Sequence, residues 1–122
     1  MTARILLADD HAMVREALRM LLERAAGIDV VAEVANGLAV LDAVSQTQPD
    51  VVCMDINMPG MNGIEATRQL LAAHPGLKVI GLSAHADEER IAAMIAAGAV
   101  GYVVKSNAGT ELLEMIRLNT MS

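Results

Sequence analysis

Arg4-Ile-Leu-Leu-Ala-Asp-Asp10 and Val51-Val-Cys-Met-Asp55 are two short apolar runs that each end in aspartate. Four consecutive apolar residues between polar neighbours fit a strand buried on both faces, as in a parallel sheet with helices above and below it. Strands of one sense all end on the same edge of such a sheet, beside the crevice where these folds bind ligands. Asp9, Asp10 and Asp55 are therefore expected together at that edge. Carboxylates about 4 Å apart repel by about 4 kcal/mol per pair at an effective dielectric of 20, so something cationic should sit among them.

Working outward, apolar runs near 4–8, 29–34, 50–54, 77–82 and 100–104 alternate with segments of helical period near 12–25, 38–46, 64–74, 87–97 and 109–118. That alternation predicts five βα units, an α/β domain built on a parallel sheet. The punctuation agrees: Asn36-Gly37 turns out of the second strand, Pro49-Asp50 opens the third, Pro75-Gly76 stops the third helix, and Gly98 sits where a left-handed C-cap is expected after the fourth. In the first helix Val14, Ala17, Leu18, Leu21, Leu22 and Ala25 form a stripe facing the sheet. Met13 and Met20 beside it are read as core filling, with a partner surface as the alternative. No repeat, low-complexity tract or internal linker breaks the chain, so residues 1–118 are expected to form one domain, with 119–122 a tail or the start of a linker.

The 122 residues suffice for one domain with a real core. That core must be aliphatic, because Phe and Trp are absent and Tyr102 is the one aromatic residue. A net charge of -6 argues against a nucleic-acid-binding surface in this segment, since duplex binding needs clustered Lys and Arg. Cys53 stands alone within the third strand and reads as a small buried hydrophobe. No signal-peptide pattern and no apolar run of about 20 residues is seen, which makes a cytoplasmic protein without membrane contact the expectation.

Several carboxylates with phosphate oxygens nearby are the usual environment of Mg²⁺. Asp9, Asp10 and Asp55 fit it, although N-capping of the first helix would also explain Asp9-Asp10, and a surface loop acid would explain Asp55. The weight comes from coincidence: Ser83 and Lys105 close two further strands on the same edge, and Asp55-Ile-Asn-Met-Pro-Gly-Met-Asn-Gly63 is a turn-rich lip. A hydroxyl, backbone amides and an ammonium facing a metal suit a phosphoryl group, whose charge spreads over three oxygens during transfer. Asp55 would be the nucleophile, as in aspartyl-phosphate chemistry.

Asp9-Asp10, Asp55 with Asn57-Met-Pro-Gly-Met-Asn-Gly63, Ser83-Ala84, and Tyr102 three places before Lys105 together resemble the receiver domain of bacterial two-component response regulators. The likeness covers essentially the whole chain. It implies a flavodoxin-like doubly wound sheet with strand order 2-1-3-4-5. It also implies that Asp55 accepts a phosphoryl group from a sensor histidine kinase and that the domain catalyses only its own phosphorylation and dephosphorylation. Asp10 and Asp55 would hold Mg²⁺ directly and Asp9 through water, with the Asn57 carbonyl completing the set beside the phosphoryl group. Lys105, Ser83 and the Ala84 amide would bind the phosphoryl oxygens, and Ser83 would be coupled to the rotamer of Tyr102 in the family's switch.

Gly101-Tyr-Val-Val-Lys-Ser106 and Ala8-Asp-Asp-His11 look more like the NarL/FixJ subfamily, in which the proline that often follows the site lysine is commonly missing. Ser106 stands there in this chain, which leaves the geometry of the Lys105–Ser106 bond open. That subfamily usually carries a LuxR-type DNA-binding output domain, so the resemblance implies the regulatory part of a transcription factor. A stand-alone receiver acting through an effector protein is the alternative. Homodimerisation on phosphorylation would use exposed apolar positions on the last two helices, among Met94, Ile95, Met115 and Leu118, for which core packing is an equal reading.

His85, two residues past Ser83, is read as tuning phosphate lifetime; His11 is within reach of the acids, and His74 as the end of the third helix. Tyr102 without the motif would be half-buried packing. Two rivals remain. A phosphatase of the haloacid dehalogenase type needs a second acid where Asn57 stands, and a cobalamin module needs glycine where Val14 stands.

Overall fold

A computed structural model describes residues 2–120. In chain order the elements are β1 (Ala3–Ala8), α1 (Ala12–Glu23), β2 (Ile28–Val34), α2 (Gly37–Thr47), β3 (Val51–Asp55), α3 (Gly63–Ala73), β4 (Lys78–Ser83), α4 (Glu88–Ala96), β5 (Gly101–Val104), a 3-10 turn (Lys105–Asn107) and α5 (Ala108–Thr120). The five strands pair in parallel in the order β2-β1-β3-β4-β5, with β1 and β3 adjacent. This is the flavodoxin-like, doubly wound (βα)5 arrangement that the resemblance implied.

Strand residues alternate between two cores. Leu6, Ala8, Val52, Met54 and Val79 pack with Val40, Val44, Ala66, Leu70 and Met94 of α2, α3 and α4. Ile5, Leu7, Val51, Cys53, Ile80, Leu82 and Val103 pack with Leu18, Leu22, Leu112 and Ile116 of α1 and α5. Both faces of the central strands are therefore covered, which is why Ile5–Ala8 of β1 and Val51–Met54 of β3 read as unbroken apolar runs.

Several local expectations need correction. Met13 and Met20 are 84% and 51% exposed, so they are not core filling. At 100° per residue they point about 140° and 160° away from buried Leu18. Ala17 is exposed as well, and the buried stripe of α1 narrows to Leu18 and Leu22 flanked by Val14 and Leu21. Met94 is fully buried while Ile95 and Leu118 are exposed, so only the latter two are available to a partner; Met115 is partly buried. Asn36-Gly37 is a helix start rather than a free turn: Asn36 Oδ1 accepts the Ala39 N–H at 2.8 Å. A Cβ on Gly37 would lie 1.9 Å from the Met61 carbonyl oxygen, so glycine lets α2 approach the β3–α3 loop. Gly98 does adopt a left-handed φ of 113° after α4, and His74 is the C-cap of α3. Helix α5 continues two residues beyond the expected limit at 118; Met121 and Ser122 of the expected tail lie outside the described residues.

Candidate functional site

The C-terminal ends of β1 and β3 bring three acids together. Asp9 follows β1 and is held by its own N–H to the Val34 carbonyl at 3.1 Å and by Arg15 Nη1 donating to its carbonyl at 2.6 Å. Its Oδ1 accepts the His11 N–H at 2.8 Å. That bond orients the carboxylate inward. It therefore does not act as the N-cap of α1, where His11 occupies the cap position and makes no side-chain capping bond. Asp55 ends β3 and is 2% exposed, with Oδ1 accepting the Asn57 N–H at 3.1 Å.

Lys105 reaches in from just past β5. Its Nζ stands 2.8 Å from Asp9 Oδ2 and 3.2 Å from Asp55 Oδ2. His11 Nδ1 lies 3.1 Å from Asp9 Oδ1, 3.2 Å from Asp10 Oδ1 and 3.9 Å from Asp55 Oδ2. The Lys105 ammonium thus pairs with two of the three carboxylates, and the His11 ring stands beside all three. Burial and the charge of Asp9 push the Asp55 carboxyl up to about 6, against the opposing pull of Lys105. For Asp9 burial acts upward too, but Lys105 and the His11 N–H outweigh it and hold the carboxyl below its ordinary value.

Donor atoms of Asp9, Asp10, His11 and Asp55 all lie within 4.8 Å of one another. Oδ2 of Asp9 and of Asp55 are buried without a hydrogen bond; the Lys105 ammonium approaches both at ion-pair distance. Buried carboxylate oxygens with unused acceptor capacity fit a hard divalent cation that prefers oxygen. The cluster could bind a metal.

Of the other expected residues, Asn57 is in place beside Asp55. Ser83 is buried at the end of β4, but its hydroxyl donates to the His85 carbonyl within the loop rather than toward the acids. Ala84 and His85 are exposed in that loop. Tyr102 is exposed on β5, in register with Gly81 of β4. No peptide bond among the described residues is cis, so Lys105–Ser106 is trans. His11, expected within reach of the acids, stands among them, whereas one contact had no sequence signal: Arg90 of α4 donates through Nη1 to Asn57 Oδ1. A cavity of about 460 Å³ lined by Thr2, Asp50, Lys78 and Arg117 opens at the other end of the strands.

Among the described residues no helix is long and apolar enough to cross a membrane. The sequence profile of the response regulator receiver domain matches residues 5–117. The transcriptional regulatory protein DegU of Brevibacillus brevis is 38% identical over 114 residues, which are 93% of this chain and 48% of that protein. The chain spans about half the length of the curated relatives it matches. A LuxR-family two-component response regulator from Aurantimonas sp. SI85-9A1 superposes with a TM-score of 0.91 at 40% identity, covering 97% of this chain and 84% of that one. The isolated REC domain of RcsB from Salmonella enterica serovar Typhimurium, in the presence of phosphomimetic BeF3-, superposes with a TM-score of 0.86 at 26% identity over 93% of this chain and 85% of that one. Profile, fold and the placing of acids and lysine at one sheet edge agree, and the chain belongs to the receiver domains of two-component response regulators, with DNA-binding regulators among its relatives.

Proposed function

We propose that Asp55 accepts a phosphoryl group from a sensor histidine kinase and that this charge switches an output, a C-terminal DNA-binding domain of the same protein. The observation that carries the reading is the Asp55 carboxylate itself: buried, at the end of a central strand, 3.2 Å from Lys105, with one oxygen lacking a hydrogen bond. In the transfer an Asp55 oxygen forms a bond to phosphorus as the bond from phosphorus to the donor breaks. The donor nitrogen, or the oxygen of a small acyl phosphate, leaves with the electron pair.

Asp9, Asp10, Asp55 and the Asn57 carbonyl would hold Mg²⁺. The ion would offset the charge that develops on the phosphoryl oxygens. Lys105 pairs with one of those oxygens, exchanging part of its contact with the carboxylates for the new charge. The Ala84 amide and the Ser83 hydroxyl donate to the others, for which Ser83 must turn from the His85 carbonyl. Such a turn gives these donors a differential affinity for the phosphorylated state, and only a differential affinity moves the equilibrium. A shift from 1:99 to 99:1 needs about 5.5 kcal/mol. Tyr102, exposed on β5, would move inward in response, changing the α4–β5–α5 surface where Ile95 and Leu118 are exposed. A homodimer would form there. His85, beside this machinery, would tune the lifetime. Residues 1–118 act as the phosphoacceptor unit in the cytoplasm, and the domain turns over no external substrate.

The test is intact mass after incubation with Mg²⁺ and a small acyl-phosphate donor. A gain of one phosphoryl group by the native chain, absent with EDTA and absent in Asp55→Ala, supports the reading. No gain with any acyl-phosphate donor, with the fold intact, overturns it.

A further inference from the structure

One side chain joins α4 to the loop after β3, beside the residue that follows Asp55 by two. Asn57 donates its N–H to Asp55 Oδ1 at 3.1 Å, and its own Oδ1 accepts from Arg90 Nη1, a contact between residues 33 apart in sequence. Arg90 lies in the first turn of α4, where its Nε is 3.6 Å from Asp87 Oδ2. Asp87 is the helix cap and accepts the N–H groups of Glu89 and Arg90 at 3.1 and 3.3 Å. The guanidinium is thus held between the cap of α4 and the residue beside the acceptor, although half of it is open to solvent. Its planar fork has five N–H donors, and Nη2 carries two that can serve a further acceptor.

We propose that Arg90 is a positioning residue for the phosphoryl group on Asp55: through Asn57 it orders the entrance to the acyl phosphate and slows its loss to water. The inference rests on the phosphoacceptor reading above. In that loss a water oxygen forms a bond to phosphorus while the bond to Asp55 breaks; Asp55 leaves as carboxylate, and the water proton passes to the released phosphate or to solvent. An Asn57 fixed by Arg90 leaves the approaching water less room and no freely rotating amide to orient it. Ser83 and α4 are separated only by residues 84–87. A displacement of that segment therefore moves Arg90 relative to Asn57, so the lifetime of the phosphoryl group and the position of α4 are linked.

The test follows the loss of the phosphoryl group from the full chain by intact mass after the acyl-phosphate donor is removed, with Mg²⁺ kept constant. Native chain, Arg90→Ala, Arg90→Lys, Asn57→Ala and the Arg90→Ala/Asn57→Ala pair are compared, with unfolding midpoints measured alongside. Arg90→Ala is expected to shorten the half-life about threefold, the scale of an exposed ionic contact. Arg90→Lys should recover most of that, midpoints should stay level, and Arg90→Ala should add nothing once Asn57 is alanine. An unchanged half-life in Arg90→Ala overturns the proposal, as does an equal shortening with or without the Asn57 side chain. If the native chain takes up no phosphoryl group, the phosphoacceptor reading fails first and this inference falls with it, an outcome seen before any variant is compared.

Discussion

Burial and charge act against each other at Asp55. Its folded carboxyl titrates near 6, above its ordinary 3.8, so the folded chain keeps a proton that the unfolded chain has already released. Stability from this group is complete below about pH 4 and declines as pH rises through about 6, by roughly 2–3 kcal/mol for a shift of this size. Asp55→Asn should therefore stabilise the metal-free chain by about 2 kcal/mol at about pH 7.5 and change little at about pH 4. Urea unfolding at the two pH values measures it; equal effects at both would sink the idea. At this scale Asp9, Asp10, Asp55 and Lys105 were legible because each ends, or nearly ends, a strand, and strand ends fall on one edge. The hydroxyl direction of Ser83 and the reach of Arg90 to Asn57 were not, because they depend on loop rotamers and on a contact 33 residues apart.

At the scale of elements, the predicted strands and helices fall within one or two residues of those observed, since buried parallel strands and amphipathic helices write different periods. The side a residue faces was harder. Exposed Met13 and Met20 looked like core because they are apolar, yet their angular distance from Leu18 already placed them outside. Met13→Gln should change stability by less than about 0.5 kcal/mol, whereas Leu22→Ala should cost about 2–5 kcal/mol; thermal unfolding distinguishes them. The close approaches were invisible in the sequence. A Cβ on Gly63 would lie 2.2 Å from the Asp55 carbonyl oxygen, so the first turn of α3 fits against Asp55 only as glycine. Gly63→Ala should cost about 2–3 kcal/mol by overpacking, read by urea unfolding, and should lower phosphoryl uptake in the intact-mass assay because relief of the clash displaces Asp55.

For the molecule as a whole, the acidic cluster is a local excess of negative charge within a chain of net charge -6. A cation bound there adds its binding energy to folding. Mg²⁺ at about one hundred times its dissociation constant should raise stability by about 2.7 kcal/mol, reversed by EDTA. The increment should vanish in Asp9→Asn/Asp55→Asn, as followed by the unfolding midpoint; an equal increment in that variant would place the ion elsewhere.

The strand order also bears on how the domain opens. β1 and β3, which carry the acids, are neighbours inside the sheet, whereas β5 is one of its two edge strands and leads directly to Lys105. Amide protons of the central strands should exchange with solvent only through global opening, while those of β5 and the segment before α4 exchange through smaller openings. Exchange of that pattern would place the acids in the slowest-breathing part of the protein and the lysine in a faster one. Rearrangement at the edge can proceed while the acidic cluster stays folded in place, much as a dial turns against a fixed index.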